Sequence, residues 1–128
     1  MGADRPQLVV DLQRTLMRAV AEFGDDPAFT AHKSRVLATA AALDYVLMLV
    51  SGSAGARIPA DDAERAIREG IVRGVDDLIA VARAVAVIGS PAACAFARRS
   101  AKTLLAITRA EDLANDERTF ALIALANP

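Results

Sequence analysis

Acidic residues in adjacent pairs are the side chains best suited to chemistry here: Asp25–Asp26, Asp61–Asp62 and Asp76–Asp77. Paired carboxylates can divide acid and base roles, or hold a divalent cation, only when they converge on one place. Consecutive residues of a helix diverge, so none of the three pairs makes a shared site. The first two read as helix caps and dipole partners. Asp112 and Asp116 could share a face with Glu117 nearby, which makes a magnesium site there conceivable but not expected. No phosphate-binding loop or second acidic helix motif supports such a site.

Other reactive side chains are few. His32 and Cys94 are the one histidine and the one cysteine, too few for a zinc or haem site. His32, beside Lys33 and Arg35, reads as a solvated surface residue, and Cys94 in "AACAFA" as a small buried hydrophobe. "SGSAG" lacks the leading glycine of a nucleophile elbow and joins two helices instead of a strand and a helix. With no Walker sequence or dinucleotide fingerprint either, neither an enzyme nor a cofactor is expected.

Basic residues form the remaining constellation. Lys33 and Arg35 lie near the start of the second helix, and Arg98, Arg99 and Lys102 a few turns into the fourth. In an up-down bundle both helices start at the same end, so the five could make one patch for an anionic partner. Asp25 and Asp26 sit at that end too, and no surface aromatics offer stacking for bases, so nucleic acid is the lesser reading. The formal net charge of -1 gives it no help.

These residues must be positioned by helices. Hydrophobic residues make up 54% of the 128 and aromatics only 4%, an alanine-rich balance that favours close-packed helices. The first helix opens at Asp4 and Pro6, carries the stripe Leu8, Val9, Leu12, Leu16, Val20 and Phe23, and ends at Gly24. Asp26 and Pro27 start a second, from about Ala28 to Val50. A third runs from "PADDAE" to Ile88 and stops at Gly89; Ser90 and Pro91 cap a fourth. "EDLANDE" is weakly helical and can break the fourth helix before "RTFALIAL". No period-two alternation signals a strand. The expectation is one all-α domain over residues 1–128, an up-and-down antiparallel four-helix bundle with room for a short fifth C-terminal helix.

The run Val36–Ala56 holds one charge, Asp44, and raises the question of a membrane. Its helix-competent part, Val36 to Val50, is about 22 Å long, short of the hydrocarbon core. Asp44 at its centre would cost about 3 kcal/mol on insertion scales. A buried helix of a soluble, cytoplasmic protein is the expectation. The single cysteine agrees with a reducing compartment, and "MGADRPQ" lacks the apolar stretch of a secretory signal. Gly2 would suit myristoylation, but the sixth residue is Pro6 where Ser or Thr is expected.

Apolar surface is in surplus on the third helix. Ile71, Leu78 and Val85 mark one face, and Val72, Ile79 and Ala86 a second. Arg83 is the one polar side chain in "LIAVARAVAVI". Gly70 and Gly74, four apart, would let another backbone approach, in a tight crossing inside the monomer or, as the second choice, between molecules. The second face therefore reads as an interface for a homodimer or a protein partner, unless the C-terminal segment covers it. The expected function is non-catalytic, regulatory protein–protein contact: self-association, and binding or masking of an unidentified protein. Nucleic-acid binding through the basic end, and carriage of a small apolar ligand in the bundle core, are the alternatives.

Overall fold

The computed structural model describes residues 5–51 and 58–127. Its five helices are α1 (Arg5–Phe23), α2 (Pro27–Ser51), α3 (Ala60–Ile88), α4 (Pro91–Ala110) and α5 (Asp116–Ala126), and the described residues contain no strand. The expected cap at Asp4 and most of the "SGSAG" loop lie outside the described residues.

The breaks follow from local chemistry. At the α1–α2 turn the Gly24 amide donates to Val20 O at 2.9 Å, and Asp26 Oδ1 accepts from the Ala28 amide at 2.9 Å. That carboxylate satisfies an amide which the first turn of α2 leaves without a partner. Gly89 ends α3 at φ 77°, a left-handed conformation in which a Cβ is strained. Ser90 Oγ then accepts from the Ala93 amide at 3.2 Å, with Pro91 in the first turn of α4. "EDLANDE" does break the chain: Asp112 takes φ 56°, and Asn115 Oδ1 accepts from the Arg118 amide at 2.8 Å to start α5.

The centre of the bundle is α3, which packs against all four other helices. α1 and α2 form one trio with it, α4 and α5 another. The two trios share a core that includes Leu12, Leu16, Leu43, Ile71, Val81 and Leu104. Arg5 at the start of α1 binds Glu64 near the start of α3 and Glu111 just past the end of α4. At the other end Phe23 meets Phe96 edge-on, ring centroids 5.5 Å apart. α1 and α4 are therefore antiparallel. In a square bundle α1 and α3 would lie on a diagonal, but here they touch. Gly74 is the reason: a Cβ there would stand 3.1 Å from Leu12 Cδ1 and 3.3 Å from Leu12 Cβ.

Candidate functional site

The six residues expected to form an interface on α3 do not lie on one open face. Gly70 and Gly74 are buried inside the chain, against Leu43 and Val46 of α2 and Leu12 of α1. The close crossing their spacing foretells is thus between helices of one molecule. Ile79 is buried, Val72 and Ala86 are half-buried, and only Arg83 is exposed. The reason is α5, which packs on α3 and brings Ala121 to a groove it shares with Ile79, Ala80 and Arg83. The C-terminal segment supplies the cover for the second face of α3.

Two adjacent acids hold that arrangement. Asp76 receives Arg118 of α5 through two bonds, Nε to Oδ1 at 2.8 Å and Nη2 to Oδ2 at 2.9 Å. This fork geometry matches guanidinium to carboxylate, and the bond to Asp76 raises the Arg118 pKa above its ordinary value. Asp77 turns the other way, towards α2. Arg35 donates to its Oδ1 from Nε at 2.9 Å and from Nη2 at 2.6 Å. The fully buried Thr39 hydroxyl donates to Oδ2 and accepts from Arg73 Nε at 3.2 Å. As expected for neighbours on a helix, the carboxylates diverge, and each ties α3 to a different helix. The sequence assigns this pair no role. The available signal was position 77, three after Gly74 and one before Leu78, where an acid on a buried stripe needs a cationic partner.

The five basic residues do not gather into one patch. Arg35 lines the groove beside α5, together with Arg83 and Arg118, while Arg99 lines a different groove between α1 and α4. α3 is the helix the two trios share, and α2 does not pack closely on α4. Lys33 is half-buried; Arg98 and Lys102 are exposed. Arg35 also spends its charge on Asp77.

Cys94 is exposed, not buried as its apolar neighbours imply. The inward stripe of α4 runs through Ala93, Ala97, Ser100, Ala101 and Leu104, and position 94 falls just outside it. His32 is half-buried. Among the described residues no group of three or more His, Cys, Asp or Glu could hold a metal ion.

Val87 at the end of α3 and Phe120 and Ile123 on α5 are exposed apolar side chains, but a contiguous stripe runs along the outward face of α2, where Leu37, Ala38, Ala41, Tyr45 and Met48 are exposed. By length and composition α2 could cross a membrane, and only 22% of its most apolar 18-residue window is buried in the fold. The expectation of a buried helix here is corrected: only Phe29, Val36, Thr39, Ala40 and Leu43 are fully enclosed, with Val46, Leu47 and Val50 partly buried against the core, because only α1 and α3 pack on it. A separate concave surface is the α1–α4 groove, of about 230 Å³, floored by Leu12, Leu78, Phe96 and Leu104. Compared with known proteins, the chain matches no family model, no curated protein and no solved structure.

Proposed function

We propose that the protein works through non-catalytic contact with other protein chains, and first with a second copy of itself, along the outward face of α2. The observation that carries this reading is the open stripe Leu37, Ala38, Ala41, Tyr45 and Met48. A contiguous apolar stripe on a globular domain commonly marks an interaction surface. Ala38 and Ala41 at its middle let a second helix come close, while Tyr45 and Met48 supply bulk for packing.

Asp44 sits on one rim of this stripe, exposed, and forms no ion pair among the described residues. Arg35, nine residues earlier, lies on the opposite side of α2, where it holds Asp77, so the contact with a second copy rests on the apolar stripe and not on a pairing of these two charges. Masking of a different protein would use the same face.

Sedimentation of the purified chain tests the reading. The wild type should sediment as a dimer at micromolar concentration, and Ala41→Glu as a monomer with unchanged helicity. The carboxylate would be desolvated in an apolar seam without a partner. A wild type that stays monomeric at high micromolar concentration overturns self-association. Flotation with lipid vesicles would instead assign the stripe of α2 to a membrane.

A further inference from the structure

The α1–α4 groove has a built interior that the proposed contact face does not use. α1 and α4 are antiparallel, so Arg18 and Arg99 stand at the same end of it, near the Phe23–Phe96 contact that closes that end. Both arginines are exposed, and neither forms an ion pair or hydrogen bond among the described residues. Asp11, the one acid on the lining, lies towards the opposite end with Ile107 and accepts from Gln7 Nε2 at 3.0 Å. Between the ends the floor is apolar.

Ser100 is the decisive residue. It is only 7% exposed, yet its hydroxyl makes no hydrogen bond among the described residues. A serine within a helix ordinarily returns its hydroxyl to a carbonyl one turn back, as Thr15 does to Asp11 O at 2.8 Å. No fully enclosed side-chain oxygen or nitrogen of the described residues lacks a partner, so the Ser100 oxygen must be reachable from the groove it lines. An apolar trough thus holds the unspent hydroxyl of buried Ser100 on its wall, beside that of exposed Thr103, and two unspent guanidinium groups at one end.

We infer that this groove binds a small carboxylate with a compact apolar body, the carboxylate held by Arg18, Arg99 and the Ser100 hydroxyl. Size limits the ligand. About 150 Å³ is enough for benzene in an apolar cavity, whereas drug-sized ligands take about 300–1,000 Å³. At about 230 Å³ the groove admits one aromatic ring or a short aliphatic chain with its acid group. Guanidinium groups pair with carboxylates through parallel N–H donors, and the neighbouring hydroxyl can add a third bond. The net positive charge of the lining, two arginines against one distant acid, selects the anion over its neutral amide.

Benzoate, benzamide and inorganic phosphate, each titrated into the full chain and followed by two-dimensional NMR, test this. Benzoate should saturate with a Kd near about 1 mM, a modest affinity for a small ligand. Its shifts should cluster on residues 12–18 and 96–104. Arg99→Gln and Arg18→Gln should each weaken it by about tenfold, the loss of one charge-assisted hydrogen bond. Neither arginine carries an internal contact, so both variants should melt as the wild type does. Ser100→Ala should weaken binding less, and Ser100→Leu, which fills the trough, should abolish it. Benzamide binding as tightly as benzoate would overturn the role of the arginines. Phosphate binding as tightly would overturn that of the apolar floor. Shifts scattered over the surface, or unchanged by either arginine variant, would overturn the site itself.

Discussion

α2 and α3 are the two longest helices and lie side by side, yet the one with the longer apolar run is the less buried. Twelve of the 29 residues of α3 are buried, against five of the 25 of α2. α3 alternates its charges with its apolar residues and is surrounded, while α2 is apolar nearly all round and packed on one side. Periodicity tells which face of a helix wants cover; only the arrangement of neighbours tells which face receives it. Where the two differ, as on α2, apolar surface is left for something outside the fold.

Deleting equal bulk from the two helices should give the largest contrast. Ile71→Ala on α3, at a residue 1% exposed, should cost about 2–5 kcal/mol in urea unfolding, since it leaves a cavity in the core. Leu37→Ala on α2, at a residue 41% exposed, should stay within about 0.5 kcal/mol when measured in dilute solution. Equal losses at low concentration would mean that the outward face of α2 is covered within one chain, and the contrast between the helices would fail.

The contacts between α2 and α3 come next. Asp77→Ala should cost about 1–3 kcal/mol, because the buried Thr39 hydroxyl loses its acceptor. Arg35, mostly exposed, returns to water, so the larger penalty of a stranded buried charge is not reached. The glycines sharpen the same boundary. A Cβ at Gly70 would be crowded by the tip of Leu43 alone, at 3.3 Å, and would meet Val46 at an ordinary 3.7 Å. Gly70→Ala should therefore raise stability by up to about 1 kcal/mol through helix propensity. At Gly74 the near part of Leu12 cannot swing away, and Gly74→Ala should lower stability by about 1 kcal/mol once crowding is set against propensity. Thermal melts of the two variants moving in opposite directions would place the tighter crossing between α1 and α3.

Much of the helix plan is legible because its punctuation is local. Gly24, Asp26–Pro27, Gly89 and Ser90–Pro91 each act within a few residues, and each stands where the sequence puts a boundary. The cover on α3 is not legible in that way. Ile79 and Ala86 look identical whether α5 or another chain lies over them, since both supply apolar atoms at the same distance. Gly70 and Gly74 announce a close crossing without naming the partner helix. The long-range pairs Asp76–Arg118 and Asp77–Arg35 depend on which helices become neighbours, and charge in the sequence carries no address. Ser100 reads as one small residue among several on α4; its unspent hydroxyl emerges only when α1 stands apart and the groove opens.

The smallest expected effect separates the two adjacent acids. Asp76 is 43% exposed, so Asp76→Ala should cost at most about 1 kcal/mol, and less in high salt, as for other surface pairs. Arg118 would still donate from Nη1 to Leu113 O at 2.8 Å, and its amide would still be capped by Asn115, so α5 keeps its start. A raised arginine pKa contributes stability that is complete below the ordinary guanidinium value and is lost only as pH climbs past it. The contribution from the Arg118 shift should therefore not vary across the neutral range. Hydrogen exchange gives the local reading: Asp76→Ala should speed exchange in α5 and leave α2 as it was, whereas Asp77→Ala should speed exchange in α2. If both variants loosened the same helix, the two carboxylates would be acting as one unit and α3 would not divide its neighbours into two trios.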